Sequence, residues 1–249
     1  MAKLEEIANT GRRAALCIVT DTSGSTPRKA GSKMIVTEDG ETFGTVGGGS
    51  IEHRVIDEAR KVCRQSQPVK FIFDLEDDLQ MQCGGNVEVY IEPVNPPMKL
   101  VIFGAGHVGS ALGRYAQDFG FSIVYVDNRA ELIEKQQQLG FEVILGDYIT
   151  EGEKFESDKR TFFVVVTHKH AFDQELTGIL GKKEFAFLGM IGSGRKVAEA
   201  KRFYLENNIL TPTEIEKIDM PIGIKFNAQT PEEIAISILA KLIDVKNSI

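Results

Sequence analysis

The sequence predicts an α/β protein: an N-terminal α+β domain over residues 1–94, then a Rossmann-like domain with a doubly wound parallel sheet over residues 98–249. Three observations carry this. An apolar run opens into Gly-x-Gly-x-x-Gly in Lys99-Leu-Val-Ile-Phe-Gly104-Ala-Gly106-His107-Val-Gly109, and a second run, Phe121-Ser-Ile-Val-Tyr-Val-Asp127, ends in an acid about 20 residues on, the order of a dinucleotide-binding half. Beyond it, short apolar runs alternate with helical patterns, as βαβ units do. Between the halves lies Glu92-Pro-Val-Asn-Pro-Pro97, whose three prolines suit neither a helix nor a central strand.

In the first half, Leu4 to about Arg12 reads as a short helix and Ala14–Thr20 as a strand. Lys33–Thr37 and Thr42–Val46 flank Glu38-Asp39-Gly40, a hairpin signal. Ser50 is placed to cap a helix to about Gln65, with Ile51, Val55, Ile56, Ala59, Val62 and Cys63 on one face. Val69–Leu75 and Val87–Ile91 complete the strands, whose order the sequence does not specify. In the second half, strands are expected near Leu100–Phe103, Ser122–Val126, Glu142–Leu145, Thr161–Thr167 and Phe185–Leu188, each followed by a helix, the one after Gly194 being the most regular. Thr230-Pro-Glu-Glu233 starts a last helix, Ile234 to about Val245, apolar over much of its surface and expected to be buried.

Composition narrows the function. With 42% hydrophobic and 26% charged residues the chain is globular, and its 249 residues suit two domains of ordinary size. A net charge of −7 argues against nucleic acid or an anionic membrane as main partner. No run approaches the roughly 20 apolar residues of a membrane span. Met-Ala-Lys-Leu-Glu-Glu lacks a secretory apolar core, and Cys17, Cys63 and Cys83 form neither a disulfide framework nor a metal-ligand spacing, so a reduced, cytoplasmic protein is expected. There is no Gly-x-Ser-x-Gly elbow and no Walker loop.

The candidate ligand site starts at the glycine turn. Gly104 permits the bend, Gly106 lets a pyrophosphate approach the backbone, Gly109 lets the helix lie close to the strand, and the helix start favours an anion. Asp127 suits the ribose of NAD, while Arg129 keeps NADP open. The same glycines also fit a turn that only packs. Open α/β sheets bind ligands at the switch point, between the first and fourth strands. His107 follows the first; His168 and His170 follow the fourth in Thr167-His-Lys-His-Ala-Phe-Asp173, so three histidines are expected in one crevice, with His168 or His170 open to acid–base work and His168 and Asp173 as catalytic candidates. Solvated loop histidines are the plain alternative, and close metal-ligand spacing is lacking.

The fifth strand runs into Gly189-Met-Ile-Gly192-Ser193-Gly194-Arg195-Lys196, where Gly192, Ser193 and Arg195 suit phosphate or carboxylate, or no more than a capped helix start. The first half adds three loops: Ser23-Gly-Ser-Thr-Pro-Arg28-Lys29; Gly47-Gly48-Gly49-Ser50 ahead of a helix; and Cys83-Gly-Gly. Cys83 is the candidate exposed thiol, whereas Cys17 and Cys63 fit buried apolar positions.

Together, Gly24-Ser-Thr-Pro-Arg28, Gly47-Gly-Gly-Ser-Ile-Glu52, Cys83-Gly-Gly, Gly104-Ala-Gly-His-Val-Gly109 and Gly189-Met-Ile-Gly-Ser-Gly-Arg-Lys196 resemble the xanthine dehydrogenase accessory factors, the XdhC/CoxI family, from about Ala14 to the Gln229-Thr-Pro-Glu-Glu-Ile-Ala helix. The resemblance implies an XdhC/CoxI-type domain followed by a Rossmann-like one. It implies a protein that binds the molybdenum cofactor (molybdopterin), supports exchange of an oxo for a sulfido ligand, and hands the cofactor to a molybdenum hydroxylase apoenzyme, with a sulfur donor protein as second partner. NAD(P) stays open as a ligand. Ser50 stands where the family commonly has cysteine, which leaves Cys83 as the sole motif cysteine and the candidate metal ligand.

On this reading Arg28, Gly48, Gly49, Ser50, Gly104, Gly106, His107, Gly109, Asp127, Gly192, Ser193 and Arg195 gather around one phosphorylated pterin or nucleotide. Cys83, His168 and Asp173 are the reactive candidates. A homodimer is the prior expectation. Two rivals remain: an NAD(P)-dependent oxidoreductase resting on Asp127 with His168 or His170, and a nucleotide-sensing module without turnover.

Overall fold

A computed structural model describes residues 2–9, 11–65, 67–74 and 85–249. The chain divides into two compact units, Met1–Pro97 and Met98–Ile249.

The first unit is a five-stranded antiparallel sheet under one long helix. After α1 (Ala2–Asn9), strands β1 (Ala14–Gly24), β2 (Lys33–Thr37), β3 (Thr42–Gly44), β4 (Val69–Asp74) and β5 (Gly85–Val94) take the order β3-β2-β1-β5-β4. Helix α2 (Gly49–Gln65) follows the hairpin. It starts one residue before Ser50, so Ser50 lies exposed in the first turn rather than at the cap. Its apolar face, including Ile51, Val55, Ala59, Val62 and Cys63, closes over Cys17, Val19, Met34, Val36, Val89 and Ile91 on the inward positions of the sheet. Strand β1 runs four residues past Thr20 because it pairs with β5 as far as Gly24–Gly85.

The second unit is a parallel sheet of six strands: β6 (Met98–Phe103), β7 (Phe121–Asp127), β8 (Glu142–Leu145), β9 (Thr161–Val165), β10 (Phe187–Met190) and β11 (Ile218–Asp219). The order β11-β10-β9-β6-β7-β8 is that of a Rossmann sheet, and the switch point falls between β6 and β9. Its central strands are apolar on both sides, as burial by helices on two faces demands. Leu100, Ile102, Phe162 and Val164 face α3 (His107–Ala116) and α9 (Pro231–Asn247); Val101, Phe103, Phe163 and Val165 face the opposite core, with α6 (His170–Leu180) and α7 (Gly194–Glu206).

The remaining helices are α4 (Ala130–Gln138), α5 (Tyr148–Lys154) and α8 (Pro212–Glu216). Capping boxes start α8 at Thr211 with Glu214 and α9 at Thr230 with Glu233. Helix α9 is buried along one side, through Ala235, Ile238, Leu239 and Leu242, while Ile236 is exposed. The expected burial of the last helix is met on this core-facing side. Among the described residues no helix is long and apolar enough to cross a membrane.

Candidate functional site

The three glycines after β6 do different jobs. Gly104 has φ +116°, and a Cβ there would lie 2.3 Å from the Val166 carbonyl oxygen. A Cβ at Gly109 would lie 1.9 Å from the Gly104 oxygen. Both are required by the fold itself. Gly106 is not: its φ is −68°, and the nearest neighbour of an added Cβ is Arg129 Nη2 at 3.8 Å. Glycine there leaves bare backbone at the start of α3, which suits close approach by a ligand. His107 opens α3 and is exposed.

Asp127 behaves differently from its expected part. The carboxylate is fully buried and accepts four hydrogen bonds: from the N–H groups of Ala105 (2.7 Å) and Arg129 (3.0 Å), and from Arg129 Nε (2.9 Å) and Nη2 (2.8 Å). Two oxygens offer about four acceptor sites, so a ribose hydroxyl would have to displace Arg129. Burial alone would raise this carboxyl, but the bonds from Arg129 and the Ala105 N–H hold it below the ordinary range. The Tyr148 phenol, pushed up by burial and then by the Asp127 charge, belongs to the same surroundings. Arg129 is the residue that sequence reasoning undervalued; the readable signal was a guanidinium two residues from a buried acid.

The expected histidine cluster separates. His168 is exposed, with its ring 6.0 Å from Tyr148 and 5.5 Å from Phe172; its pKa is lowered by partial burial and then by the Arg129 charge, which puts it on the β7 side. His170 turns away. As the first residue of α6 it lines a groove with Gln174, Ile179, Phe203 and Tyr204, its two ring nitrogens are buried without a hydrogen-bond partner, and burial followed by the Lys196 charge lowers its pKa. The reason is local: the chain enters a helix between the two rings. Among the described residues no group of three or more His, Cys, Asp or Glu side chains could hold a metal.

Asp173 is buried in the first turn of α6 and accepts from Thr167 N–H (2.9 Å) and Thr167 Oγ1 (2.7 Å). Burial pushes its carboxyl up to about 6. It holds the loop that follows β9.

In the first unit the loops do converge. A Cβ at Gly47 would meet Pro27 Cγ at 3.0 Å, and one at Gly85 would meet the Ser23 oxygen at 2.4 Å, so the Ser23–Arg28 turn touches both the triple-glycine turn and the start of β5. Gly47, Gly48 and Gly49 all have positive φ, a conformation that accounts for three glycines in succession. Arg28 is exposed beside them. Cys83 lies outside the described residues. Cys17 and Cys63 are buried, and burial pushes their thiols up to about 12 and about 11, so neither is a ready thiolate.

At the end of β10, Ser193 caps α7 by accepting from Lys196 N–H (3.4 Å), and Arg195 is exposed, within 3.8 Å of Glu199. Gly192 and Gly194 have ordinary φ and room for a Cβ, so the fold requires glycine at neither. Beside them opens a cavity of about 540 Å³.

The fold and the glycine turn define a Rossmann protein with an appended antiparallel domain. Residues 100–242 match the XdhC Rossmann domain, and residues 7–74 match the XdhC and CoxI family. The chain belongs to that family. It is 31% identical over 240 residues to the uncharacterized protein YqeB of Escherichia coli, covering 94% of this chain and 44% of YqeB. It is 28% identical over 166 residues to a probable xanthine dehydrogenase subunit of Bacillus subtilis, covering 65% of this chain and 47% of that one. The chain thus spans about half the length of the curated relatives it matches. A crystal structure described as a xanthine dehydrogenase from Bacillus halodurans superposes with a TM-score of 0.55 at 25% identity, covering 99% of this chain and 95% of that one.

Proposed function

We propose that this chain is an accessory protein of a xanthine dehydrogenase-type molybdenum hydroxylase, which binds the molybdenum cofactor as cargo and supports its sulfuration and insertion. Family membership and the names carried by the Bacillus relatives support the association with such an enzyme. The observation that carries ligand binding is Gly106, a glycine that the fold does not need, at a helix start beside the Arg129 guanidinium. That combination fits a phosphate, which molybdopterin and NAD(P) both bear. The described residues fit the phosphate end of the cargo. For the metal the described residues supply no ligand cluster and the two buried thiols are unsuited; the metal ligand that the family resemblance implies is Cys83. Arg28 and the Gly48–Ser50 turn are the cargo-facing candidates of the first unit.

The test is to purify the full chain from cells that make the cofactor and measure molybdenum and released pterin by mass spectrometry. Both should accompany the wild type, molybdenum should fall in Cys83→Ala, and pterin should fall in Gly106→Val. Wild-type protein carrying neither, even when produced together with an apo-hydroxylase, would refute the proposal.

A further inference from the structure

We infer that strand β4 is a self-recognition edge: two copies of this chain pair antiparallel along it, with Ile72 meeting its own copy on the two-fold axis. The first sheet ends at β4, which among the described residues pairs with β5 alone. An end strand directs a row of backbone N–H and C=O groups away from its neighbour, and such edges are ordinarily blunted by shortness, proline or a bulge. The other three sheet edges are short: β3 has three residues, β8 four and β11 two. Strand β4 has six, no proline, and an unbroken register with β5 from Val69–Ile91 to Asp74–Asn86.

The side chains name the partner. Val69, Phe71 and Phe73 belong to the core under α2, so Lys70, Ile72 and Asp74 share the opposite face of the sheet. Ile72 is 63% exposed. A single exposed isoleucine is ordinary. The order Lys70-Phe71-Ile72-Phe73-Asp74 is not, because reversed it is its own complement. A copy centred on Ile72 sets Lys70 opposite the partner's Asp74, and Asp74 opposite the partner's Lys70, on the outer face. On the core face it sets Phe71 opposite the partner's Phe73 and Phe73 opposite the partner's Phe71. Opposite charges and aromatic pairs are favourable directly across a ladder, and like charges are not. Lys70 already reaches Glu88 at 2.9 Å, but its side chain is 57% exposed and an ammonium has three donors, so it can serve a second acid.

Register singles out this pairing. A slip by one residue sets the core face of one copy against the outer face of the other. Slips that keep the faces lose the charge pairs: one sets Lys70 against the partner's Ile72, the other sets Ile72 against the partner's Asp74. The backbone fits as well. In a ladder centred on one residue, opposite positions share parity, so groups that point outward on one copy meet groups that point outward on the other. The contact is isologous and closes after two copies.

The test is analytical ultracentrifugation of the full chain, with circular dichroism to confirm that each variant folds. Wild type should pass from monomer to dimer between about 1 and about 100 μM, the weak end expected of a small interface. Lys70→Asp and Asp74→Lys each place like charges across both sides of the axis, and each should weaken the dimer about tenfold or more. Mixed in equal amounts, the two variants should associate about as tightly as wild type, because every acid then meets a lysine. In a Cys83→Ala background, Ile72→Cys should cross-link to its own copy under mild oxidation, since Cα atoms directly across a ladder stand about 4.5–5.5 Å apart, within disulfide reach. Lys70→Cys, offset from its copy by four residues, should not. A wild type that stays monomeric throughout, folded variants whose mixture forms no dimer, or equal cross-linking at both positions would overturn the inference.

Discussion

Arg129 closes on Asp127 from two sides, donating its own backbone N–H and the Nε and Nη2 of its guanidinium to one carboxylate. The acid is fully buried, and the cation, with its side chain 30% exposed, reaches over Gly106. Asp127 thus orients a cation at the glycine turn. Removing its charge while keeping its shape, as in Asp127→Asn, leaves the guanidinium and the Ala105 N–H facing an amide, at a cost of about 3 kcal/mol. The folded pKa of Asp127 lies below its ordinary value, so its contribution is present above the unfolded pKa and fades as pH falls through the folded value. Wild-type melting should lose ground to Asp127→Asn as pH drops from 5 towards 2 (roughly the window around an ordinary Asp pKa near 4). Parallel melting curves across that range would contradict this.

Asp173 works in the opposite direction. Its folded pKa is about 6, above the usual carboxylate value, because burial disfavours the charge more than the two Thr167 bonds favour it. The folded chain therefore holds this proton more tightly than the unfolded chain does. Its contribution to stability falls as pH rises from about 4 to about 6, by roughly 3 kcal/mol. Asn accepts the same two bonds without a charge. Asp173→Asn should melt higher than wild type at pH 7.5 and show a flatter profile between pH 4 and 6, measured by calorimetry. A variant that melts lower at both ends of that window would mean that the carboxylate, not its shape, holds the Thr167 loop.

The Rossmann unit was legible because local pattern and global fold agree there. Strand, glycine turn, helix and strand follow in order, Glu142–Leu145 forms β8 as read, and Ser193 and Thr230 cap the helices that follow them. Strand β11 has only two residues, too few for any periodicity, although Thr211-Pro-Thr-Glu214 just before it did carry a helix start. The order of the first sheet depends on pairing β1 with β5 across more than sixty residues, which no local pattern encodes. Motif reading found the loops that meet around Pro27 but misjudged side-chain direction: Asp127 turns inward to Arg129, and His168 and His170 diverge.

The glycines of the turn after β6 offer a separation of fold from ligand. Gly104→Ala puts a methyl 2.3 Å from the Val166 oxygen at a positive φ, and Gly109→Ala puts one 1.9 Å from the Gly104 oxygen. Each should cost about 3 kcal/mol or more, or prevent folding. Gly106→Ala has neither problem and should stay within about 1 kcal/mol of wild type. Thermal melts of the three variants check the ranking. A Gly106→Ala variant as damaged as the other two would show that the fold needs that glycine as well, and would remove the argument that it serves a ligand.

Thiol chemistry distinguishes the cysteines without any ligand. Cys17 sits fully buried in β1 under α2, and Cys63 lies on the buried face of that helix with its sulfur 3.9 Å from the Val36 oxygen. Reaction needs a thiolate and access, and burial denies both, raising the two thiols to about 12 and about 11. Iodoacetamide at pH 8 should therefore leave these two unmodified in the folded chain and alkylate them once urea opens the unit. Label that enters the folded protein is expected on Cys83, and Cys83→Ala should take up almost none. Peptide mapping by mass spectrometry reads each site directly; rapid native labelling of Cys17 or Cys63 would mean that the first unit opens far more readily than its apolar core allows, and Cys83 would lose its standing as the available thiol.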